Sequence, residues 1–176
     1  MKKLLVCILV SASMIACTSK ETKTTNDDDT NIATFKENSK IVEASMNAFT
    51  RNDLNEWDTY NADSLKWHVA SYGQDAKDSS LNMAAVRSRL AGFHTIVKNI
   101  KPKFEQFVPG LDSVTFKPNG SVRAYIRMSA ESISNGTKLE HKYYCVYTFN
   151  ENHKIVDVDE YFDITGAVQA ATAPKK

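Results

Sequence analysis

"SVRAYIRMSAESISNGTKLEHKYYCVYTF", residues 121–149, decides the fold. Apolar and charged residues alternate on either side of Asn135-Gly136. An Asn-Gly pair between two alternating runs signals a β-hairpin, because a two-residue turn needs positive φ at both positions. Such a loop pairs Ser134 with Thr137. Counting outward sets Ala130 opposite His141, Met128 opposite Tyr143, Ile126 opposite Cys145 and Ala124 opposite Tyr147. The polar turn "NENH" then leads into a third strand, "KIVDVDEYFDI". If Phe149 pairs with Lys154, Cys145 meets Val158, Tyr143 meets Glu160 and His141 meets Phe162.

Successive strand residues point to opposite faces, so these registers sort the side chains. One face holds Val122, Ala124, Ile126, Met128, Tyr143, Cys145, Tyr147, Val156, Val158 and Phe162, and is the core face; Glu160 lies on it. The other holds Arg123, Tyr125, Arg127, Lys142, Tyr144, Val146, Asp157, Asp159, Tyr161 and Asp163. Three of the four acids in "DVDEYFD" therefore face outward, among bases on neighbouring strands, and read as a charge-paired face. Glu160 is the exception. A carboxylate on an apolar face is costly unless it is hydrogen-bonded or lines a cavity. Two readings stand: a Tyr143–Glu160 hydrogen bond at a core rim, or a polar group at the end of a pocket.

Upstream, "KFEQFV" and "DSVTF" read as further strands, with turns at Pro109-Gly110 and Pro118-Asn119-Gly120. Before them the pattern is helical. Met83, Val86, Leu90, Phe93, Val97 and Ile100 recur at steps of three and four, which predicts a helix ended by Pro102 and capped near Asp78, Ser79 or Ser80. A helix from Phe35 to about Arg51 carries Ile41, Ala44, Ala48 and Phe49. A short one after Asn52 or Asp53 carries Leu54 and Trp57. "SLKWHVA" reads as a strand with Leu65, Trp67 and Val69 on one side. Helices first and antiparallel strands afterwards give an α+β domain.

The chain has 176 residues, which fits one domain plus ends. "MKKLLVCILVSASMIAC" has a basic start, Lys2 and Lys3, and an apolar stretch too short to span a bilayer; that is the layout of a secretory signal. Met14-Ile15-Ala16-Cys17 resembles a bacterial lipobox, with Cys17 the lipidated residue. The expected organisation is a signal peptide at 1–16, Cys17 and a disordered Thr-, Lys- and Asp-rich tether to residue 34, a domain at 35–165, and a small-residue tail at 166–176. Of the cysteines, Cys7 leaves with the signal and Cys17 takes lipid, so Cys145 has no partner for a disulfide. Losing Lys2 and Lys3 lowers the 22 basic residues to 20, against 21 acidic ones. That balance, with scattered Lys and Arg, supplies no field for nucleic acid. His68, His94, His141 and His153 show no zinc-ligand spacing, no metal site is read, and no cofactor motif is present.

"MNAFTRNDLNEWDTYNADSLKWHV", Gly73, the helix near 81–100 and "YTFNENHKIVDVDEYFD" together resemble the nuclear transport factor 2-like superfamily, in its polyketide cyclase (SnoaL-like) branch. The resemblance covers about residues 35–165. It implies a cone: about three N-terminal helices packed on a strongly curved antiparallel sheet, with a pocket between them. It implies pocket positions at Trp67, His68, Met128, His141, Tyr143, Cys145, Tyr147, Val158 and Phe162, suited to an apolar or aromatic ligand. Ketosteroid isomerase chemistry is not carried over. Its tyrosine donor would fall at Ser45, its general base at Val69 and its protonated aspartate at Cys145. The cyclase branch's acid aligns with Glu160, and the tryptophan before it with Asp159. Three functions follow as expectations: an envelope lipoprotein with a ligand-binding or accessory domain, a lyase or isomerase with Glu160 as general base, or an interaction module acting through the outer sheet face. The resemblance also implies a homodimer through that face.

Overall fold

The computed structural model describes residues 27–70 and 80–174. Cys17 and the signal segment lie outside them, as do Gly73, Asp78 and Ser79. Helices α1 (Asp27–Thr50) and α2 (Leu54–Tyr60) precede strands β1 (Asn61–Val69) and β2 (Ser80–Asn82). Helix α3 (Met83–Ile96) follows, then β3 (Val97–Leu111), β4 (Pro118–Ser132), β5 (Lys138–Phe149), β6 (Ile155–Tyr161) and α4 (Ile164–Thr172). The six strands form one sheet in the order β2-β1-β6-β5-β4-β3. The helices cover one face of it, and Val42, Ala48, Trp57, Val86, Ile126 and Val158 are among the buried residues of the shared core.

The sheet is mixed, not antiparallel throughout, because β1 pairs with β6 in parallel. No turn joins these two strands, so hairpin signals could not reveal how they pair. Both hairpin registers are displaced from the expected ones by two residues. Ala124 meets Cys145, and Cys145 meets Glu160. At the first hairpin only Gly136 takes a positive φ, of 72°. The loop is therefore the four residues Ile133–Gly136, closed by Ser132 N donating to Thr137 O at 2.9 Å. An even displacement keeps every side chain on its face, whereas a single-residue slip would have inverted the sheet. A register shift between Thr148 and Phe149 changes one assignment: Ile155 enters the core and Val156 is half-buried.

Other boundaries differ as well. Helix α1 starts at Asp27, so the expected tether is shorter than 17–34. Helix α3 is capped by Asn82, whose side chain accepts from Ala85 N, and it ends at Ile96. The β-branched run Thr95-Ile96-Val97 favours extended backbone, and Val97 and Ile100 belong to β3. Pro102 and Pro109 lie within β3, an edge strand whose outer side needs no donors. A Cβ at Gly110 would come within 1.8 Å of Ser121 Oγ, so a larger residue there would require the serine side chain to move. "DSVTF" is a turn rather than a strand, since Asp112 Oδ1 accepts from Thr115 N at 2.7 Å and Val114 N at 3.1 Å. The tail contains α4, capped by Asp163 and held at its far end by Ser132 Oγ, which donates to Ala171 O at 2.5 Å. Asp163 is thus a helix cap and not a member of the outer face.

Candidate functional site

Helices α1, α3 and α4 and the inner sheet face enclose a cavity of about 310 Å3. Its floor is Glu160. Alternation along β6 turns this residue inward between buried Val158 and half-buried Phe162. Its side chain is 4 % exposed. Three donors hold it: Arg89 Nη2 donates to Oε1 at 2.6 Å, Arg89 Nη1 to Oε2 at 3.0 Å, and Trp67 Nε1 to Oε2 at 2.6 Å. The two-pronged guanidinium contact is the strong, directional form of ion pair. Trp67 is itself fixed edge-on against Tyr147, with ring centroids 6.5 Å apart.

The walls above this floor are apolar. Phe49 and Leu90 come from the helices, Met128 from β4, and Ile164 and Val168 from α4. Tyr143, Tyr147, His141 and Phe162 complete them. His141 stacks on Phe162 at 4.3 Å, and burial lowers its pKa from 6.5, favouring the neutral ring. Burial raises the hydroxyl pKa values of Tyr143 and Tyr147 well above 10.0 and pushes up the Cys145 thiol. The pocket thus offers one fixed ion pair and otherwise neutral side chains.

Of the expected pocket residues, Trp67, Met128, His141, Tyr143, Tyr147, Phe162 and Glu160 line this cavity. Cys145 and Val158 are buried in the core and form no part of the lining. His68 points the other way, its Nε2 3.3 Å from Asp157 Oδ2 on the outer face. The two-residue displacement also puts Cys145, not Tyr143, across from Glu160. Of the positions aligned with ketosteroid isomerase chemistry, Ser45 lines the cavity and Val69 lies beside Glu160 in the parallel register. Arg89 was missed, although the signal was present. It follows Val86 by three residues and precedes Phe93 by four, so it shares their helix face. A lone inward acid required a donor from such a position.

No family model matches the sequence, and no curated protein matches it. Solved structures do. A nuclear transport factor 2-like protein of unknown function from Burkholderia pseudomallei superposes with a TM-score of 0.59 at 18 % identity, covering 77 % of this chain and 98 % of that one. The chain has the nuclear transport factor 2-like fold. A putative polyketide cyclase from Xanthomonas campestris pv. campestris gives 0.58 at 14 % identity, over 79 % and 99 % of the two chains. TerC, crystallised with polyporic acid, gives 0.59 at 16 %, over 77 % and 98 %. At these identities the likeness establishes the fold, and the cavity occupies the space between helices and sheet that this fold creates.

Proposed function

We propose that the protein is an envelope-anchored binding module whose cavity takes a small apolar or aromatic molecule, with the polar end of the ligand at Arg89 and Glu160. The observation that supports it most is the cavity itself: apolar walls converging on a single ion pair, the composition of a ligand site. Two of the similar structures, a polyketide cyclase and TerC with polyporic acid, agree with a flat ligand. 2-Naphthol is a suitable probe. At about −0.5 kcal/mol for each of roughly eleven heavy atoms, its Kd should be about 100 µM. Met128→Trp fills the cavity and should abolish saturable binding, whereas Met128→Leu should retain it. Saturation that survives Met128→Trp, or none in the wild type, rejects the reading.

Anchoring rests on Lys2, Lys3 and Met14–Cys17. Cys17→Ala should abolish fatty-acid labelling, and a wild type without label refutes it. Among the described residues no helix is long and apolar enough to cross a membrane.

A lyase or isomerase with Glu160 as general base is the second reading, favoured by the cyclase-like fold. The geometry supports it less, because three donors already take three of the carboxylate's roughly four acceptor positions, leaving one on Oε1. A general base must have a free acceptor within reach of the proton it takes. Glu160→Gln should abolish any turnover found, and turnover at the wild-type rate removes Glu160 from that role.

For the outer face we propose self-association. Tyr125, Tyr144 and Tyr161 pack as tilted rings across β4, β5 and β6 with centroids 4.7 and 5.3 Å apart, and the outer two are about half exposed. Such a self-complementary patch suits an isologous dimer or, failing that, another protein partner. Light scattering at tens of micromolar decides between them.

A further inference from the structure

The parallel pairing of β1 and β6 brings together residues that lie about ninety positions apart in the sequence. His68 is level with Asp159, and Lys66 with Asp157. His68, Asp157 and Asp159 point to the outer face, on the opposite side of β6 from Glu160. One ligand atom from each lies within 4.8 Å of the others. All three are half-buried, with His68 and Asp157 side chains 31 % and 36 % exposed.

The charges here are unbalanced. Two carboxylates sit two residues apart on one strand face, where mutual repulsion is unfavourable. Their neighbours on β5 in the same register are Thr148 and Val146, and across β1 stand Ser80 and Asn82 of β2. None of these is cationic. Lys66 is exposed and makes no ion pair with Asp157 among the described residues. Asp159 makes no hydrogen bond or ion pair among them. Elsewhere on this face Arg127 pairs with Glu105 and Glu140 at 3.0 and 2.9 Å, while Arg123, beyond Val146 in the same row as Asp159, makes no ion pair among the described residues. Among the described residues the His68 ring, 3.3 Å from Asp157, is what remains to compensate the pair.

We propose that His68, Asp157 and Asp159 bind a first-row divalent cation of the Zn2+ class on the outer face of the sheet, with water completing its coordination. The donor set selects the ion. An imidazole nitrogen with two carboxylates suits Zn2+ and its neighbours, whereas Ca2+ and Mg2+ take oxygen ligands. Bonds of about 2.05 Å in a tetrahedron separate neighbouring ligand atoms by about 3.3 Å, which is the His68–Asp157 distance. The third ligand must close by up to about 1.5 Å, a movement on the scale of a side-chain rotation of Asp159. Two hydrogen-bonded strands hold all three backbones, so the ordering cost of assembling the ligands is largely met by the fold. Three protein ligands leave the metal an open position, the arrangement of a reactive rather than a purely structural ion.

Calorimetric titration of ZnCl2 into the metal-free domain tests this, with Co2+ absorption as a second readout. One equivalent should bind, with a visible Co2+ band. His68→Gln and Asp159→Asn should each weaken Zn2+ binding by at least about tenfold. His153→Gln, at a distant imidazole bonded to Asn38, should leave it unchanged. 2-Naphthol binding reports that the variants are folded, and circular dichroism does so independently of the cavity's occupant. Absence of a one-to-one complex, wild-type affinity in both ligand variants, or loss in only one of them overturns the three-ligand site and leaves His68–Asp157 as an ion pair only.

Discussion

Glu160 and Asp159 are adjacent on one strand and face opposite environments. Glu160 looks into the cone and has three donors on its two oxygens. Asp159 looks out and has no partner among the described residues. The contrast shows how burial acts on a sequence. Inside, an uncompensated carboxylate costs several kcal/mol, so the fold must supply Arg89 and Trp67. Outside, water screens the charge and the sequence is free to leave it unpaired.

The largest break in this comparison is Arg89→Ala. It removes two of the three donors from a carboxylate that is 4 % exposed. Breaking a buried pair from one side costs about 3–5 kcal/mol. Arg89 is itself 24 % exposed and Trp67 stays bonded, so a loss of about 2–3 kcal/mol is expected in denaturant unfolding. Arg89→Met with Glu160→Gln should recover most of it, because no charge is then stranded. A loss below about 1 kcal/mol for Arg89→Ala would mean that Glu160 finds water in the cavity.

The same asymmetry explains what could be read from the sequence. Alternation put Glu160, Met128, Tyr147 and Val158 on the inner face correctly, although both hairpins are displaced by two residues. Face assignment depends only on parity, so it survived errors in the turns. Cross-strand partners depend on the register itself, and the expected Tyr143–Glu160 pair is absent for that reason. The outer face was read only in part. The expected charge pairing is present for Arg127 and, through His68, for Asp157, but not for Asp159 among the described residues; nothing in local periodicity shows that β1 lies beside β6. Arg89 was legible in principle, from its place between Val86 and Phe93. A helix pattern scored for apolar residues alone discards that information.

Changing pH should sharpen the comparison at the inner face. Tyr143, Tyr147 and Cys145 keep their protons in the fold above their ordinary values of 10.0, 10.0 and 9.0, chiefly through burial. An unfolded chain releases these protons first, so stability is full below those values and falls as pH rises through them. Each group contributes up to about 1.4 kcal/mol per pH unit. His141 has the opposite sign. Its folded pKa lies below 6.5, so its contribution is present above 6.5 and declines as pH falls towards the folded value. Thermal unfolding across pH should show a steeper alkaline limb than acid limb. Tyr147→Phe should flatten the first and His141→Phe the second. An alkaline slope unchanged in Tyr147→Phe contradicts the assignment.

The smallest expected effect is Asp159→Asn in the metal-free domain. The substitution keeps the side-chain shape on a half-buried strand face and removes one of two neighbouring like charges. Relief of that repulsion should stabilise the fold by no more than about 0.5 kcal/mol, and less as salt is added. With Zn2+ in excess the order should reverse. A cation bound only to the folded wild type adds stability that the variant lacks, growing with free metal as binding linkage requires. Paired unfolding curves, with chelator and with Zn2+, read both halves. A variant less stable than wild type by 1 kcal/mol or so in chelator would show that Asp159 already has a structural partner. The unpaired charge on which the comparison rests would then not exist.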